Sequence, residues 1–295
     1  MFECTFNVAI LKKIVDALQV IVKTGNLDVN SEMMDLQAMD GTHIALVSLY
    51  LRPSRLDDFR CDEAMSLGID FEALGKILKT AGNDYTCFLS AKTENSENVA
   101  DVLNIRIANP SESRVSTFVL KLVLVDSDRT AIAESDYDAN VTMSSQEFQR
   151  IVRDFSAFDS ESIHLDIEKE SVTFSVKGDG NVEGSITLHA AESANDANNV
   201  EIDLRQPVSL AFPLRYFRDF TKATPLNSKV SITMTDAAPI IISYEFGDGL
   251  GKISYYLAPR GSESDDEYSD EEEMESEEED ITAKTELNDD YENAL

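Results

Sequence analysis

Four short amphipathic segments, set in two matching pairs along a chain otherwise patterned for strands, constrain this sequence most. They are NVAILKKIVDALQVIVK (7–23), FEALGKILKTAG (71–82), SSQEFQRIVRDFSAF (144–158) and PLRYFRDFTKAT (213–224). Leu11, Ile14, Leu18 and Ile21 recur at helical spacing in the first; Phe71, Leu74, Ile77 and Leu78 do so in the second. Ser144 or Ser145 is placed to cap the third helix, with Glu147 near its first turn. Pro213 is expected in the first turn of the fourth, where a missing N–H costs least. The first and third segments each follow a strand-like string, ECTFN and ANVTMS, and the second and fourth end alike, in KILKTAGN and RDFTKATP. The step from Lys13 to Arg150 nearly equals that from Lys79 to Lys222, so the chain reads as a duplication.

The rest of the body alternates with a period of two. LNIRIAN puts Leu103, Ile105 and Ile107 on one face, SIHLDIE does so with Ile163, Leu165 and Ile167, and VTFSV with Val172, Phe174 and Val176. HIALVSLYLR, YTCFLSA, VSITMT, IIISYEF and KISYYLA are further strand candidates between polar, Gly- or Pro-containing turns. The predicted class is α+β, with two similar domains, 1–123 and 139–260, each of antiparallel sheets and two helices. LVDSDRTAIAESDYD (124–138) lacks periodicity and reads as the connector between them.

Beyond Gly261 the composition changes. Residues 262–295 hold 17 Asp and Glu against one Lys, too little apolar surface to offset ordering entropy, so 261–295 is expected to be a disordered acidic tail. The whole chain carries a formal charge of −31, which at first argues against nucleic acid. What matters, however, is where the cations lie. Each helical segment carries at least two off its apolar stripe: Lys12 and Lys13; Lys76 and Lys79; Arg150 and Arg153; Arg215, Arg218 and Lys222. If the four faces converge, they form a positive surface suited to phosphates. Nothing in these helices resembles a base-reading pattern, so sequence-independent binding to duplex DNA is expected.

Several function classes lose support. The three cysteines (Cys4, Cys61, Cys87) form no CxxC pair, so neither a disulfide framework nor a structural metal is expected, and no cofactor is implied. The N-terminus lacks the pattern of a signal peptide, no apolar run approaches a membrane span, and no basic nuclear-import cluster is seen. GDGLGK (247–252) has the wrong glycine spacing for a phosphate loop and reads as a hairpin turn. GDGNVEG (178–184) is likewise no dinucleotide loop, and nothing marks a catalytic dyad, so no enzyme activity is expected.

The body resembles the proliferating cell nuclear antigen family, the sliding clamps of eukaryotic replication, from Met1 to Arg260. The strings that carry the resemblance include AILKKIVDAL (9–18), LQAMDGTHIALVSLYLR (36–52), FRCD (59–62), KILKTAGN (76–83), EFQRIVRD (147–154), LRYFRDFTKATPL (214–226) and YYLAPR (255–260), in order. The resemblance implies a homotrimeric ring of six-fold pseudo-symmetry in the nucleus, with the helices lining a channel for duplex DNA. It implies a processivity factor for DNA polymerase that a clamp loader opens and that serves as a docking platform for replication and repair proteins. On the first helix this chain has Gln19 where the family usually has a basic residue, and Arg218 stands where the family is often not basic. The ring would close through edges near Ser113–Lys121 and Gly180–Leu188, with Phe118 at the interface. Partner proteins would dock on Met39, His43, Ile44, Leu46, Ile132, Pro239, Tyr256, Leu257, Ala258 and Pro259, a patch suited to a short helix with an aliphatic and aromatic plug. The connector departs from the family here, with Thr130, Ala131, Ile132 and Ala133 where many members have an apolar residue, Gly, Ile and Pro. Lys169 stands where the family receives a ubiquitin-like modifier. In the tail, Ser262, Ser264, Ser269 and Ser276 each precede an acidic residue three positions on, as an acidophilic kinase requires. Two alternatives remain: an acidic chaperone of histones or other basic proteins, and a subunit of a checkpoint-type hetero-trimeric clamp.

Overall fold

A computed structural model describes residues 1–260 except 93–99, 110, 112–113, 126–128, 131–135, 179–181, 191–198 and 237. Ile132, the four tail serines and the acidic tail itself lie outside the described residues. Met1–Pro259 forms one compact unit, the larger part of the chain.

The first half of the larger unit runs β1 (Phe2–Asn7), α1 (Val8–Gln19), β2 (Thr24–Val29), β3 (Met34–Met39), β4 (Ala45–Leu51), β5 (Phe59–Cys61), β6 (Met65–Asp70), α2 (Phe71–Lys79), β7 (Thr86–Ala91), β8 (Val102–Ala108) and β9 (Val115–Lys121). The second runs β10 (Ala139–Ser144), α3 (Ser145–Phe155), β11 (Ser162–Ile167), β12 (Ser171–Lys177), β13 (Glu183–His189), β14 (Glu201–Leu204), β15 (Val208–Pro213), α4 (Leu214–Phe220), β16 (Lys229–Met234), β17 (Ile240–Phe246) and β18 (Gly251–Leu257). A short 3-10 helix at Thr221–Leu226 extends α4.

The order of elements is the same in both halves, and so is the pairing. The five-stranded sheet β5-β1-β7-β8-β9 repeats as β14-β10-β16-β17-β18, and β4-β3-β2-β6 repeats as β13-β12-β11-β15. The halves join where β18 pairs antiparallel with β4 over seven residue pairs, from Gly251↔Leu51 to Leu257↔Ala45, which makes one sheet of nine strands. Their counterparts, β9 and β13, each end a sheet.

Local chemistry sets the helix starts. Asn7 accepts from the Ala9 amide (2.8 Å), Asp70 from Ala73 (3.0 Å) and Ser144 from Glu147 (3.4 Å), each satisfying a first-turn donor. Pro213 is the last residue of β15 and the cap position of α4, one step earlier than predicted, and α4 has no side-chain cap. Leu11, Ile14, Leu18, Phe71, Leu74 and Leu78 are buried as the spacing requires. Ile21 lies beyond the end of α1 and Ile77 is half-buried. Gly247 and Gly249 have positive φ and, with Asp248, form the tight turn between β17 and β18 at GDGLGK.

Candidate functional site

The helices form one continuous layer: α2 packs on α1, α1 on the 3-10 helix after α4, and both that helix and α4 on α3. Two hydrogen bonds tighten the arrangement. Tyr255 of β18 donates to the Ala17 carbonyl of α1 (2.9 Å), so the second half grips the first. Lys12 donates from Nζ to the Ala81 carbonyl (2.7 Å) and to Asn83 Oδ1 (3.1 Å), tying α1 to the end of α2, where a cation is favoured.

Eight of the nine predicted cations are exposed, and Lys12 is half-buried. Arg150, Arg153, Arg218 and Lys222 line one open groove of about 850 Å³ between α3 and α4. Carboxylates temper this wall. Lys76 pairs with Glu72 at 2.6 Å, Arg150 lies 3.8 Å from both Glu147 and Asp154, and Arg153 lies 3.1 Å from Asp154. Arg215 stacks over the Tyr216 ring at 4.8 Å and bonds its hydroxyl. Nine cations against five carboxylates (Asp16, Glu72, Glu147, Asp154, Asp219) leave the four helices a formal net charge of +4. Asp219 is half-buried, and burial raises its carboxyl against the pull of Arg218, Lys222 and Arg215. The wall is therefore positive within a chain of −31, but moderately so.

The opposite side of the sheet carries an apolar row. Across four strands, Met39, Leu46, Tyr256 and Ile241 are successive register partners, and the row crosses the β4–β18 seam. Met39 and Ile44 are each 37% exposed, and Pro239, Ala258 and His43 are exposed beside them. Leu46 is 6% exposed and Leu257 is 0%, so Leu257 belongs to the core and supports the patch from behind. The alternation in KISYYLA gives the reason: Ile253, Tyr255 and Leu257 face inward, and Tyr256 faces out. Burial raises the Tyr256 phenol, with Tyr137 close by. Ile241 is a member of the row that the sequence alone does not reveal.

Asp40 shapes the loop that presents His43 and Ile44. It is nearly buried and accepts from the amides of Thr42, Ile44 and Ala45, from the Thr42 hydroxyl, and from Tyr216 at 2.7 Å. Burial works against its charge, but the bonds from Thr42, Ala45 and Tyr216 outweigh it and lower the carboxyl to about 2. With these amides engaged, His43 is held in the left-handed region at φ 58°.

Phe118 lies on β9, partly buried against the core, and Lys169 is exposed in the turn between β11 and β12. No cluster of three or more His, Cys, Asp and Glu able to hold a metal ion occurs among the described residues.

Two family models match almost end to end. Residues 1–131 match the N-terminal domain of proliferating cell nuclear antigen, and residues 131–260 match its C-terminal domain. This chain belongs to the proliferating cell nuclear antigen family. It is 37% identical over 263 residues to the proliferating cell nuclear antigen of Dictyostelium discoideum, covering 88% of this chain and 99% of that one. It is 39% identical over 254 residues to that of Chaetomium thermophilum (strain DSM 1495 / CBS 144.50 / IMI 039719), covering 85% and 95%. The match to two successive domains fits the duplicated topology.

Proposed function

We propose that the chain is a DNA sliding clamp: three copies close into a ring in the nucleus, duplex DNA passes through it, and polymerases and other proteins dock on its outer patch. It has no catalysis of its own. The observation that carries the reading is the repeat of pairing order, which gives each copy two edges that match the internal seam. The β18–β4 seam is the same junction that β9 of one copy and β13 of the next would form. An unpaired strand edge seeks a partner, and ring closure supplies one to β9 and β13.

The register is set by the repeat. In the first half the row Cys4–Leu89–Ile105–Phe118 runs across β1, β7, β8 and β9. In the second, Val141–Ile232–Ile242–Tyr255 runs across β10, β16, β17 and β18. Cys4 and Val141 each precede the helix-capping residue, Asn7 or Ser144, by three positions, so Phe118 corresponds to Tyr255. Tyr255 faces Val47 at the internal seam, and the matching place in β13 is Gly184. Phe118 of one copy then lies over Gly184 of the next, a large ring against a position without a side chain.

Within the ring the helix layer faces the duplex. A wall of only +4 per copy is suited to sliding, since topological closure rather than affinity retains the DNA. A polymerase tethered to the patch rebinds at high effective concentration, which is the processivity effect. In this reading 1–123 and 139–260 are the clamp domains, 124–138 the connector, 261–295 an acidic tail, and Lys169 an accessible site for a modifier. The test is product length on a primed circular template with a eukaryotic polymerase and clamp loader. Long products only when this protein is present support the clamp; unchanged product length counts against it.

A further inference from the structure

The β2–β3 pair sets two like charges face to face: Asp28 and Asp35 are direct register partners. Opposed carboxylates in adjacent strands destabilise a sheet. The connector supplies the remedy. Arg129 reaches back across about a hundred residues of chain and forks between them, bonding Asp28 and, at 2.6 Å, Asp35. The next residue is held as well. Gln37 donates from its side-chain amide to the Thr130 carbonyl (2.9 Å) and accepts from the Thr130 amide (2.8 Å), so its carboxamide pairs with both backbone groups of one residue, as a neighbouring strand would. Asp35, Gln37 and Met39 alternate along β3, so these attachments climb the strand face that ends at the docking patch. Upstream, the chain is anchored on other partners as it enters the connector: Val123, the last residue before it, donates to the Gly68 carbonyl (2.9 Å), and Asn26 donates to that of Val125 (2.9 Å).

We infer that Arg129 and Gln37 are positioning residues for partner docking: they button the connector onto the outer face of β3 before a partner arrives, with Arg129 doing so by neutralising the Asp28–Asp35 pair. The inference rests on the reading of the Met39–Ile44–Tyr256 surface as the docking site. It makes docking dependent on ionic strength even for an uncharged partner, because the clip consists partly of half-exposed ion pairs that salt screens.

The probe is a fluorescent, net-neutral peptide carrying an aliphatic and two aromatic side chains on one helical face, titrated against the full chain. Arg129→Gln is expected to weaken it by about three- to tenfold, the size of a lost preorganisation advantage. It should also speed hydrogen exchange at the Thr130 amide and flatten the salt dependence seen with the parent protein. Arg129→Gln should lower Tm, because the carboxylate pair is left uncompensated. The variant Asp28→Asn/Asp35→Asn/Arg129→Gln should recover the Tm yet still bind the peptide weakly, which a purely structural role would not produce. Unchanged peptide affinity in Arg129→Gln, or unchanged exchange at Thr130, overturns the inference. An Ile44→Asp control separates the two readings: if it leaves peptide binding intact, the docking site lies elsewhere and the inference falls with it. If it abolishes binding while Arg129→Gln does not change it, only the clip is wrong.

Discussion

Tyr255 and Val47 stand opposite each other across the seam that joins the two halves of the chain. Tyr255 is wholly buried there, stacked on Phe220 at 4.5 Å, and its hydroxyl reaches α1. Phe118 holds the equivalent place on an edge strand, only partly buried in the single chain. In the proposed ring a second copy would complete its burial.

Phe118→Ala is therefore expected to weaken assembly while sparing the fold of the monomer. Losing a large buried aromatic costs about 3–5 kcal/mol, which corresponds to a hundredfold or greater rise in the dissociation constant of the ring. Sedimentation equilibrium checks this: the parent protein should weigh three times 32.7 kDa and the variant should populate single chains. Gly184→Val should act in the same direction, by filling the space the ring needs.

Lys222→Ala and Arg153→Ala should reduce retention on DNA without altering assembly. Each removes one phosphate contact, so the slope of log affinity against log salt should fall by about one for each cation that meets a phosphate. Lys12→Ala should behave differently. Its ammonium is engaged with Ala81 and Asn83, so the change should lower stability more than it alters the salt slope.

Gly68→Ala is expected to loosen the start of the connector. A Cβ at this position would sit 1.8 Å from the Val123 carbonyl oxygen, which backbone must move to relieve. A loss of about 1–3 kcal/mol is the usual cost of such crowding, readable as a lower denaturation midpoint.

The cysteines should react slowly in the native protein. Burial pushes Cys87 up to about 12 and Cys4 well above the usual thiol range, so at pH 8 both stay as thiols. A thiol gains reactivity only as pH rises toward its pKa. Cys61, half-buried and less strongly raised, should be alkylated first, and mass spectrometry after timed labelling would show the order.

Much of the fold is legible in the sequence because burial and strand period coincide. In β8, β11 and β12 every second residue is apolar, and those residues are the buried ones. TGNLDV and MDLQAM, which form β2 and β3, alternate as well, with Leu27 and Val29 buried between Asn26 and Asp28, and Met34 and Leu36 buried beside Asp35 and Gln37, but few of their residues are β-branched, so their strand signal is weaker. The site is legible in part. Cations at helical spacing can be read directly, but the carboxylates that pair with them share the same polar faces and give no separate signal. Ile241 sits in a run of three isoleucines, where alternation gives no contrast; only the register with Tyr256 turns it outward. The roles of Arg129 and Gln37 depend on Asp28 meeting Asp35, a relationship that no local pattern encodes.

The most direct test of the account is whether DNA is held by topology. The protein is loaded by a eukaryotic clamp loader onto a nicked circle, the free protein is removed, and half of the sample is cut once with a restriction enzyme. The account predicts that protein stays with the circle through gel filtration and slides off the linear product. Equal retention on both forms, or loss from both, would contradict it.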